Sequence, residues 1–275
     1  MNIPMKTKTK GYRLSIDDVI LCFYDIYKHP EYTSIFDNDY LAMFKDIHEK
    51  HGTKIHLNIY YETDDKQFNL TMMPDRFKNE WIENSDWLRL SFHANSDKPN
   101  WPYRGLGYDA VKNDCEKVQK EIIRFAGVLH NVTTLHFADT TKEGVKALRD
   151  CGIKVLQGDF VLKDGQPYIS YYLNKEQFDN VRYNVFWKDE ETDMIFYACD
   201  VVLNTKTLES IPERMDEFQN MYPNRDFVDI LIHEQYYHTS YKVFLPDYRK
   251  RIEKGIEWCE QNGYSPAWVE DMIDF

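Results

Sequence analysis

Four apolar segments of this 275-residue chain carry, in or beside them, side chains that can bind a metal ion or transfer a proton. An aspartate pair lies in the neighbourhood of the first predicted strand, and a histidine with a nearby carboxylate ends each of the other three segments. The eight residues are Asp17, Asp18, His93, Asp97, His136, Asp139, His233 and Glu234. Carboxylate and imidazole ligands together favour Zn²⁺, Co²⁺, Mn²⁺ or Fe²⁺. These residue types therefore indicate metal-assisted chemistry.

One division of roles follows from the chemistry of these groups. Asp18, His93 and Asp97 would hold a divalent ion and leave positions open for water and substrate. An ion bound in this way acidifies a water molecule and polarises a carbonyl group. Asp17 would then act as the base, and His233 would protonate the leaving group. The predicted reaction is a hydrolysis.

Simpler interpretations of the same residues remain open at this stage. The aspartate pair could cap a helix, as Ser15 could. Each histidine could be a hydrogen-bonded residue at the end of a strand. His233 could also form an ion pair with Glu234.

Composition excludes several classes of partner. The chain has 34 Lys and Arg against 46 Asp and Glu, a formal net charge of −12, so its surface repels nucleic-acid phosphates and anionic lipid. No run approaches 18 apolar residues, so no transmembrane helix is predicted. The 5 cysteines are scattered, and the basic start of the chain lacks an apolar core like that of a secretory signal. We therefore predict a cytoplasmic protein, of unknown oligomeric state, that binds neither nucleic acid nor membranes.

The elements that must position the site alternate between strand and helix. Helical spacing predicts helices over 39–51, 74–83, 108–126, 141–150, 211–221 and 247–262. Strands are predicted over 53–61, 87–92, 132–137, 153–158 and 227–233, with a first apolar segment over 16–24. Repeated β-α units imply a parallel sheet, and about six or seven units at this length favour a barrel. Polar groups at the strand ends would then face one rim.

A single domain over 1–275 is predicted, because the chain shows neither repeats nor a linker. The segment 158–207 is rich in β-favouring and turn residues, and it is predicted to be an inserted β-rich region.

The order of the motifs resembles a known family. S-I-D-D-V at 15–19, S-F-H-A-N-S-D at 91–97 and D-I-L-I-H-E at 229–234 follow one another along the chain. They are similar to the T-F-D-D-G, H-S/T-x-x-H and final histidine motifs of the polysaccharide deacetylases, carbohydrate esterase family four of the glycoside hydrolase/deacetylase superfamily. The segments at 54–60 and 141–156 also match in order, so the resemblance covers about residues 15 to 270.

This resemblance implies a distorted (β/α)₇ barrel that removes an N- or O-linked acetyl group from a carbohydrate. It implies Asp17 as the base, His233 as the acid, and Asp18, His93 and Asp97 as ligands. Zinc is the first expectation for the metal, with Co, Mn, Fe or Ni as alternatives.

Two departures from the family pattern stand out. Asp97 replaces the second histidine of the metal motif, and the arginine that orients the base in the family is missing from 134–139. His136 or Asp139 would occupy its space. Without that cation the pKa of Asp17 should rise. Asn95, inside the metal loop, could support a ligand.

The rings that follow Asp97 suit a sugar-binding cleft. Trp101 and Tyr103 could stack on a sugar, or they could simply cover the mouth of a barrel. Two alternatives to a deacetylase remain: a carbohydrate-binding barrel without catalysis, and a glycosidase that pairs Asp17 with Glu234 or Asp139.

Overall fold

Strands and helices alternate along the chain in the computed structural model, which describes residue 5 and residues 7–274. The strands of the described residues are β1 Gly11–Val19, β2 Ile55–Tyr60, β3 Leu88–Ala94, β4 Val132–Thr134, β5 Val155–Gly158, β6 Val161–Lys163, β7 Gln166–Ile169, β8 Trp187–Asp189, β9 Met194–Ala198, β10 Val201–Val202, β11 Phe227–His233 and β12 Ser265–Pro266. The α-helices are α1 Leu21–Lys28, α2 Asp39–His51, α3 Lys78–Glu83, α4 Tyr108–Phe125, α5 Lys142–Asp150, α6 Lys175–Tyr183, α7 Ser210–Met221, α8 Tyr248–Gln261 and α9 Val269–Met272. Residues 1–4 and 6, which are part of the N-terminal segment for which the absence of a secretory signal was predicted, lie outside this description.

The first sheet is parallel and has β1 at its centre. Its strand order is β10-β11-β1-β2-β3, with β12 also pairing with β1. The register places Asp17 beside His233 across β1 and β11. The α/β class and the parallel sheet predicted from the sequence are confirmed.

A second sheet continues the arrangement beyond β3. Its order is β4-β5-β9-β8, in which β4, β5 and β9 are parallel and β8 is antiparallel. The side chain of Asn58 in β2 connects the two sheets, since its Oδ1 accepts a hydrogen bond from the backbone N–H of Thr134 in β4 at 3.2 Å. Because the parallel strands of the described residues belong to two separate hydrogen-bonded sheets, a closed seven-stranded barrel stays a prediction.

Several predicted boundaries agree with the structure because strong local signals mark them. The helix predicted over 39–51 is α2, which begins after the cap residue Asn38 and ends at Gly52, where φ is 68°. Asn38 accepts a hydrogen bond from the backbone of Leu41 at 3.0 Å. Gly52 adopts the left-handed conformation that a residue with a side chain disfavours.

The first apolar segment is two elements, and its predicted start at residue 16 is too late. Strand β1 already begins at Gly11, and helix α1 follows it after Ile20. The aspartate pair lies in β1 and does not cap α1, because neither residue is an N-cap there. The strand-end interpretation of Asp17 and Asp18 therefore holds.

The region predicted as a β-rich insert contains a hairpin, but the predicted bounds 158–207 are too wide. Strands β6 and β7 pair as an antiparallel hairpin. Helix α6 and strand β9 follow in the same stretch, and β9 pairs with β5 in the parallel second sheet. The residue pattern of a short apolar strand such as β9 does not show whether the strand belongs to the core sheet or to an inserted hairpin.

Polar side chains are buried between the strands as well as apolar ones. Arg13 and Asp229 form an ion pair at 2.7 Å, and both side chains are fully buried. Asp229 also accepts hydrogen bonds from Gln157 at 2.9 Å and Tyr197 at 2.7 Å. Such a pair stabilises a fold only where its hydrogen bonds are satisfied.

Among the described residues, no helix combines the length and apolar character that a membrane span needs.

Candidate active site

Three buried side chains converge at the ends of β1, β3 and β4. One ligand atom each from Asp18, His93 and His136 lies within 4.8 Å of the others. Oδ1 of Asp18 is 3.1 Å from Nε2 of His93 and 3.3 Å from Nδ1 of His136. The two imidazoles approach each other at 3.1 Å. We call these three residues the triad.

The backbone turns at Asp18 to present its carboxylate. Its φ is 64°, a left-handed conformation that is uncommon for a residue other than glycine. The pairing of β1 with β2 shifts register at this point, between Ile16 and Val19. The side-chain amide of Gln235 donates to Oδ2 of Asp18 at 2.7 Å, and the Tyr60 hydroxyl donates to Oδ1. Oriented in this way, the carboxylate directs Oδ1 toward both histidines.

A hydrogen bond on the side of the ring that faces away from the triad orients His93. Its Nδ1 donates to the backbone carbonyl of Thr134 at 2.5 Å, so Nε2 is the nitrogen that faces the triad. Burial lowers the pKa of His93, although hydrogen bonding to Asp18 opposes the shift. The hydrogen bond to Asp18 requires a proton on Nε2, and loss of that proton would give the neutral imidazole that binds a metal.

His136 comes from a strained turn directly after β4. Phe137 and Ala138 have φ values of 62° and 44°, two consecutive left-handed residues without a glycine. Such strain persists only where the surroundings enforce it, and it is common at functional sites. The Tyr60 hydroxyl lies 3.1 Å from Nδ1 of His136 and completes the contacts of the triad.

The triad is suited to a divalent cation. Burial alone would raise the pKa of Asp18, but hydrogen bonds with His136 and His93 hold it well below its usual range. Asp18 is therefore ionised beside two imidazoles. One carboxylate and two nitrogen ligands are a donor set that Zn²⁺, Co²⁺ and related ions accept.

Asp17 lies beside the triad and is also buried. Nδ2 of Asn58 donates to its Oδ1 at 2.7 Å. Burial raises the pKa of Asp17 well above its usual range, and the neighbouring charge of Asp18 adds to the shift. The rise predicted from the missing arginine is confirmed in direction, but burial is its largest cause.

His233 faces the same cleft from the end of β11. Its Nδ1 is 2.9 Å from Oδ1 of Asn204. Because that oxygen can only accept, Nδ1 carries the proton and Nε2 is available for proton transfer.

Asp97 lies at the rim of the cleft and outside the triad. Its Oδ1 is 3.7 Å from Nε2 of His136, and its Oδ2 is 2.6 Å from Nζ of Lys98. Its side chain is 40% exposed, against 8% for His136. The structure thus gathers Asp18 and His93 as predicted, with His136 as the third member.

Asn95, predicted to support a ligand, and Tyr103, predicted to stack on a sugar or to cover the barrel mouth, both hold the loop after β3. Oδ1 of Asn95 accepts a hydrogen bond from Nζ of Lys117 at 2.9 Å, and Nδ2 of Asn95 donates to Glu62 at 3.0 Å. The Tyr103 ring is buried, and its hydroxyl accepts from the backbone N–H of Asn95 at 3.2 Å. A buried Tyr103 packs against the protein and has no free face for a sugar.

Trp101 and Asp139 form a wall beside the cleft. The Trp101 ring stacks on Phe137 with ring centres 4.5 Å apart and contacts Tyr168 of the β6–β7 hairpin at 5.3 Å. Arg104 lies 3.6 Å over the Trp101 ring and donates to Asp139 at 2.6 Å. Asp139 is therefore committed to an ion pair, and Phe137 brings the wall to the cleft.

Glu234 binds the start of α1 in the structure, whereas it was predicted to pair with His233 or with Asp17. Its fully buried carboxylate accepts the backbone N–H groups of Ile20, Leu21 and Cys22 at 2.6, 2.7 and 2.8 Å. These donors form the N-terminus of α1, where a negative charge is favourable. Held there, Glu234 does not line the cleft as a partner of Asp17.

The cleft has a volume of about 300 Å³ and includes residues that the motif comparison did not single out. Asp159 and Gln235 line it. Asp159 follows β5, so the strand-end rule that selected the other residues would also have found it. Asn58 and Tyr60 alternate along β2 with period two, which is the signal for side chains on one face of a strand.

The structure resembles solved members of carbohydrate esterase family 4. A pseudoenzyme of this family from Bacillus anthracis aligns with 99% of this chain and 69% of its own at 12% identity, with a TM-score of 0.53. A family 4 acetyl xylan esterase from Clostridium thermocellum, solved with a cobalt ion, covers 95% of this chain and 89% of its own at 11% identity, with a TM-score of 0.51. A peptidoglycan N-acetylglucosamine deacetylase covers 98% and 91% at 12% identity, with a TM-score of 0.50.

The chain therefore has the fold of the polysaccharide deacetylases, and the resemblance inferred from its motifs is confirmed at that level. No protein-family model and no curated protein matches the sequence.

Proposed function

We propose that this protein is a metal-dependent deacetylase that removes an N- or O-linked acetyl group from a carbohydrate. The observation that carries the proposal is the convergence of the triad, Asp17 and His233 on one cleft. The fold supports it, since similar structures include an acetyl xylan esterase and an N-acetylglucosamine deacetylase.

The triad would hold the divalent ion, with zinc the first expectation. Such an ion, when bound, activates water and polarises the acetyl carbonyl. Asp18 supplies the negative charge, while Thr134 and Tyr60 fix the ligand orientations through His93 and Asp18.

Asp17 and His233 would move the protons of the reaction. A carboxyl group whose pKa is raised by burial is a stronger base when it is ionised, so Asp17 is suited to take a proton from water. Asn58 fixes the direction of its carboxylate. Nε2 of His233 would deliver a proton to the departing nitrogen or oxygen, with the ring held by Asn204.

The metal is the first test of this proposal. Metal-free protein titrated with Zn²⁺ or Co²⁺ should bind about one equivalent. His93→Ala and His136→Ala should each lower the affinity at least about tenfold, since each removes a ligand. His29→Ala, which changes a histidine with a 41% exposed side chain, is the matched control. Equal binding by wild type and both site variants would refute the metal site.

Acetate release is the second test. Metal-loaded protein should release acetate from an acetylated oligosaccharide, and Asp17→Asn should abolish the release while it leaves metal binding in place. Release by the metal-free protein at the same rate would contradict metal dependence.

A carbohydrate-binding protein without catalysis is the second candidate function. One contact favours this second function. The neutral amide of Asn58 donates to Asp17, whereas the family resemblance implies that a charged arginine orients this base. Glycan binding that chelator leaves unchanged, with no acetate released from any acetylated oligosaccharide, would decide for this candidate. Location in the cytoplasm remains part of the proposal and is tested by cell fractionation.

A further inference from the structure

The turn that presents His136 needs support from other parts of the chain. Phe137 and Ala138 have φ values of 62° and 44°, in the left-handed region that residues with a side chain disfavour. Two such residues in succession persist only where contacts with the rest of the protein enforce them. The contacts of this turn therefore determine where the third member of the triad lies.

Backbone hydrogen bonds hold one part of the turn. The N–H of Ala138 donates to the carbonyl of Leu135 at 2.6 Å, and the N–H of Tyr171 donates to the carbonyl of Ala138 at 2.6 Å. Neither bond involves Phe137, the residue that connects Ala138 to His136. The conformation of Phe137 must therefore be held through its side chain.

The ring of Trp101 holds the Phe137 side chain. The two rings are stacked, with 4.5 Å between their centres and 22° between their planes. The imidazole of His136 packs on the same phenyl ring, also with centres 4.5 Å apart. Aromatic contacts of this kind stabilise a structure beyond the area that they bury. Phe137 is thus the link between Trp101, in the loop after β3, and the imidazole that follows β4.

Trp101 is itself fixed by its neighbours. The guanidinium carbon of Arg104 lies 3.6 Å from the centre of the Trp101 ring, and Nε of Arg104 donates to Asp139 at 2.6 Å. Tyr168 of the β6–β7 hairpin meets the Trp101 ring edge-on at 5.3 Å. A cation and a second ring together restrict the indole to one orientation, so Trp101 is a rigid support.

We propose that Trp101 is a positioning residue for His136. It acts through Phe137, whose conformation it fixes, and it supplies no ligand atom itself. Its ring thereby keeps the His136 imidazole against Asp18 and His93. The expected effect on metal affinity rests on the proposed function, whereas the effect on the turn does not.

Co²⁺ binding is the first measurement. Trp101→Ala should weaken it at least about tenfold, as expected when a residue that orients a ligand is lost. Trp101→Phe keeps a ring that can stack on Phe137, so its affinity should stay within about threefold of wild type. Tyr183→Ala removes a 66% exposed ring that contacts Tyr222, and as the matched control it should leave binding unaltered.

The visible absorption of saturated Co²⁺ complexes separates positioning from stability. The bands report the number and kind of ligands, so they should differ between wild type and Trp101→Ala. A mere loss of stability would leave the spectrum of the bound ion unchanged, and that result would overturn the proposal.

Hydrogen exchange of the metal-free protein tests the turn without any metal. The backbone amides of Ala138 and Tyr171 should exchange at least about tenfold faster in Trp101→Ala than in wild type, while those of α8 keep their rates. Equal exchange at both amides, or a Trp101→Ala variant with wild-type Co²⁺ affinity, would overturn the proposal and leave the metal site intact. A wild-type protein that binds no Co²⁺ would refute the metal site, and faster exchange in Trp101→Ala would still support the role of Trp101 in the turn.

Discussion

At the scale of single residues, one carboxylate and two imidazoles form the centre of the cleft, and one ligand atom of each lies within 4.8 Å of the others. The rule that polar groups gather at the ends of parallel strands selected all three residues, together with Asp17 and His233, and the structure brings the five to one cleft. The rule could not decide whether Asp97 or His136 completes the group, because Asp97 is close to His93 in sequence whereas His136 is close to it only in space. The backbone conformation of Phe137 and Ala138, which presents His136, leaves no sequence signature.

The different contributions of His136 and Asp97 to metal binding are a prediction at this scale. His136→Ala should weaken Zn²⁺ binding at least about tenfold, whereas Asp97→Ala should change it less than about threefold, because Asp97 lies at the rim and pairs with Lys98. Calorimetric titration of the two variants measures the difference. The opposite order of affinities would restore Asp97 as the ligand implied by the family resemblance.

At the scale of elements, local signals determined what could be predicted. Helix α2 has a cap residue and a terminal glycine, and its bounds agree with the prediction. The segment 158–207 has no such signals, so the core strand β9 could not be told from the hairpin beside it. The start of α1 depends on Glu234, which is more than 200 residues away in sequence, and local reasoning cannot detect such a contact.

Glu234→Gln tests the link between β11 and α1. The neutral amide keeps one acceptor oxygen and points an N–H group toward the backbone donors, so the free energy of unfolding should fall by about 2–4 kcal/mol. Urea denaturation measures it. Glu116→Gln, at a side chain that is 56% exposed, should cost less than about 0.5 kcal/mol and serves as the control. Equal losses would show that the three backbone hydrogen bonds contribute little.

At the scale of the whole molecule, the fold class and the parallel sheet followed from β-α alternation, whereas the polar interior did not. Asp229 lies in β11 and Arg13 in β1, two strands that are neighbours in the sheet but distant in sequence. An apolar pattern with scattered charges cannot show that two of those charges meet inside. The extent of the domain over 1–275 stays a prediction.

The buried pair yields a prediction for the stability of the whole fold. Arg13→Met leaves the Asp229 carboxylate buried without its cation and should lower the free energy of unfolding by about 3–5 kcal/mol. Arg13→Met combined with Asp229→Leu should recover part of that loss, because no uncompensated charge remains. Thermal and urea unfolding of both variants test this. A double variant that is less stable than the sum of both single changes would contradict it.

The triad is the central claim, and anomalous diffraction at a metal absorption edge tests it most directly. Crystals of the protein grown with Zn²⁺ or Co²⁺ should show one strong anomalous peak in the cleft, within bonding distance of Asp18, His93 and His136. The absence of a peak there, or a metal held by Asp97 without His136, would contradict the account.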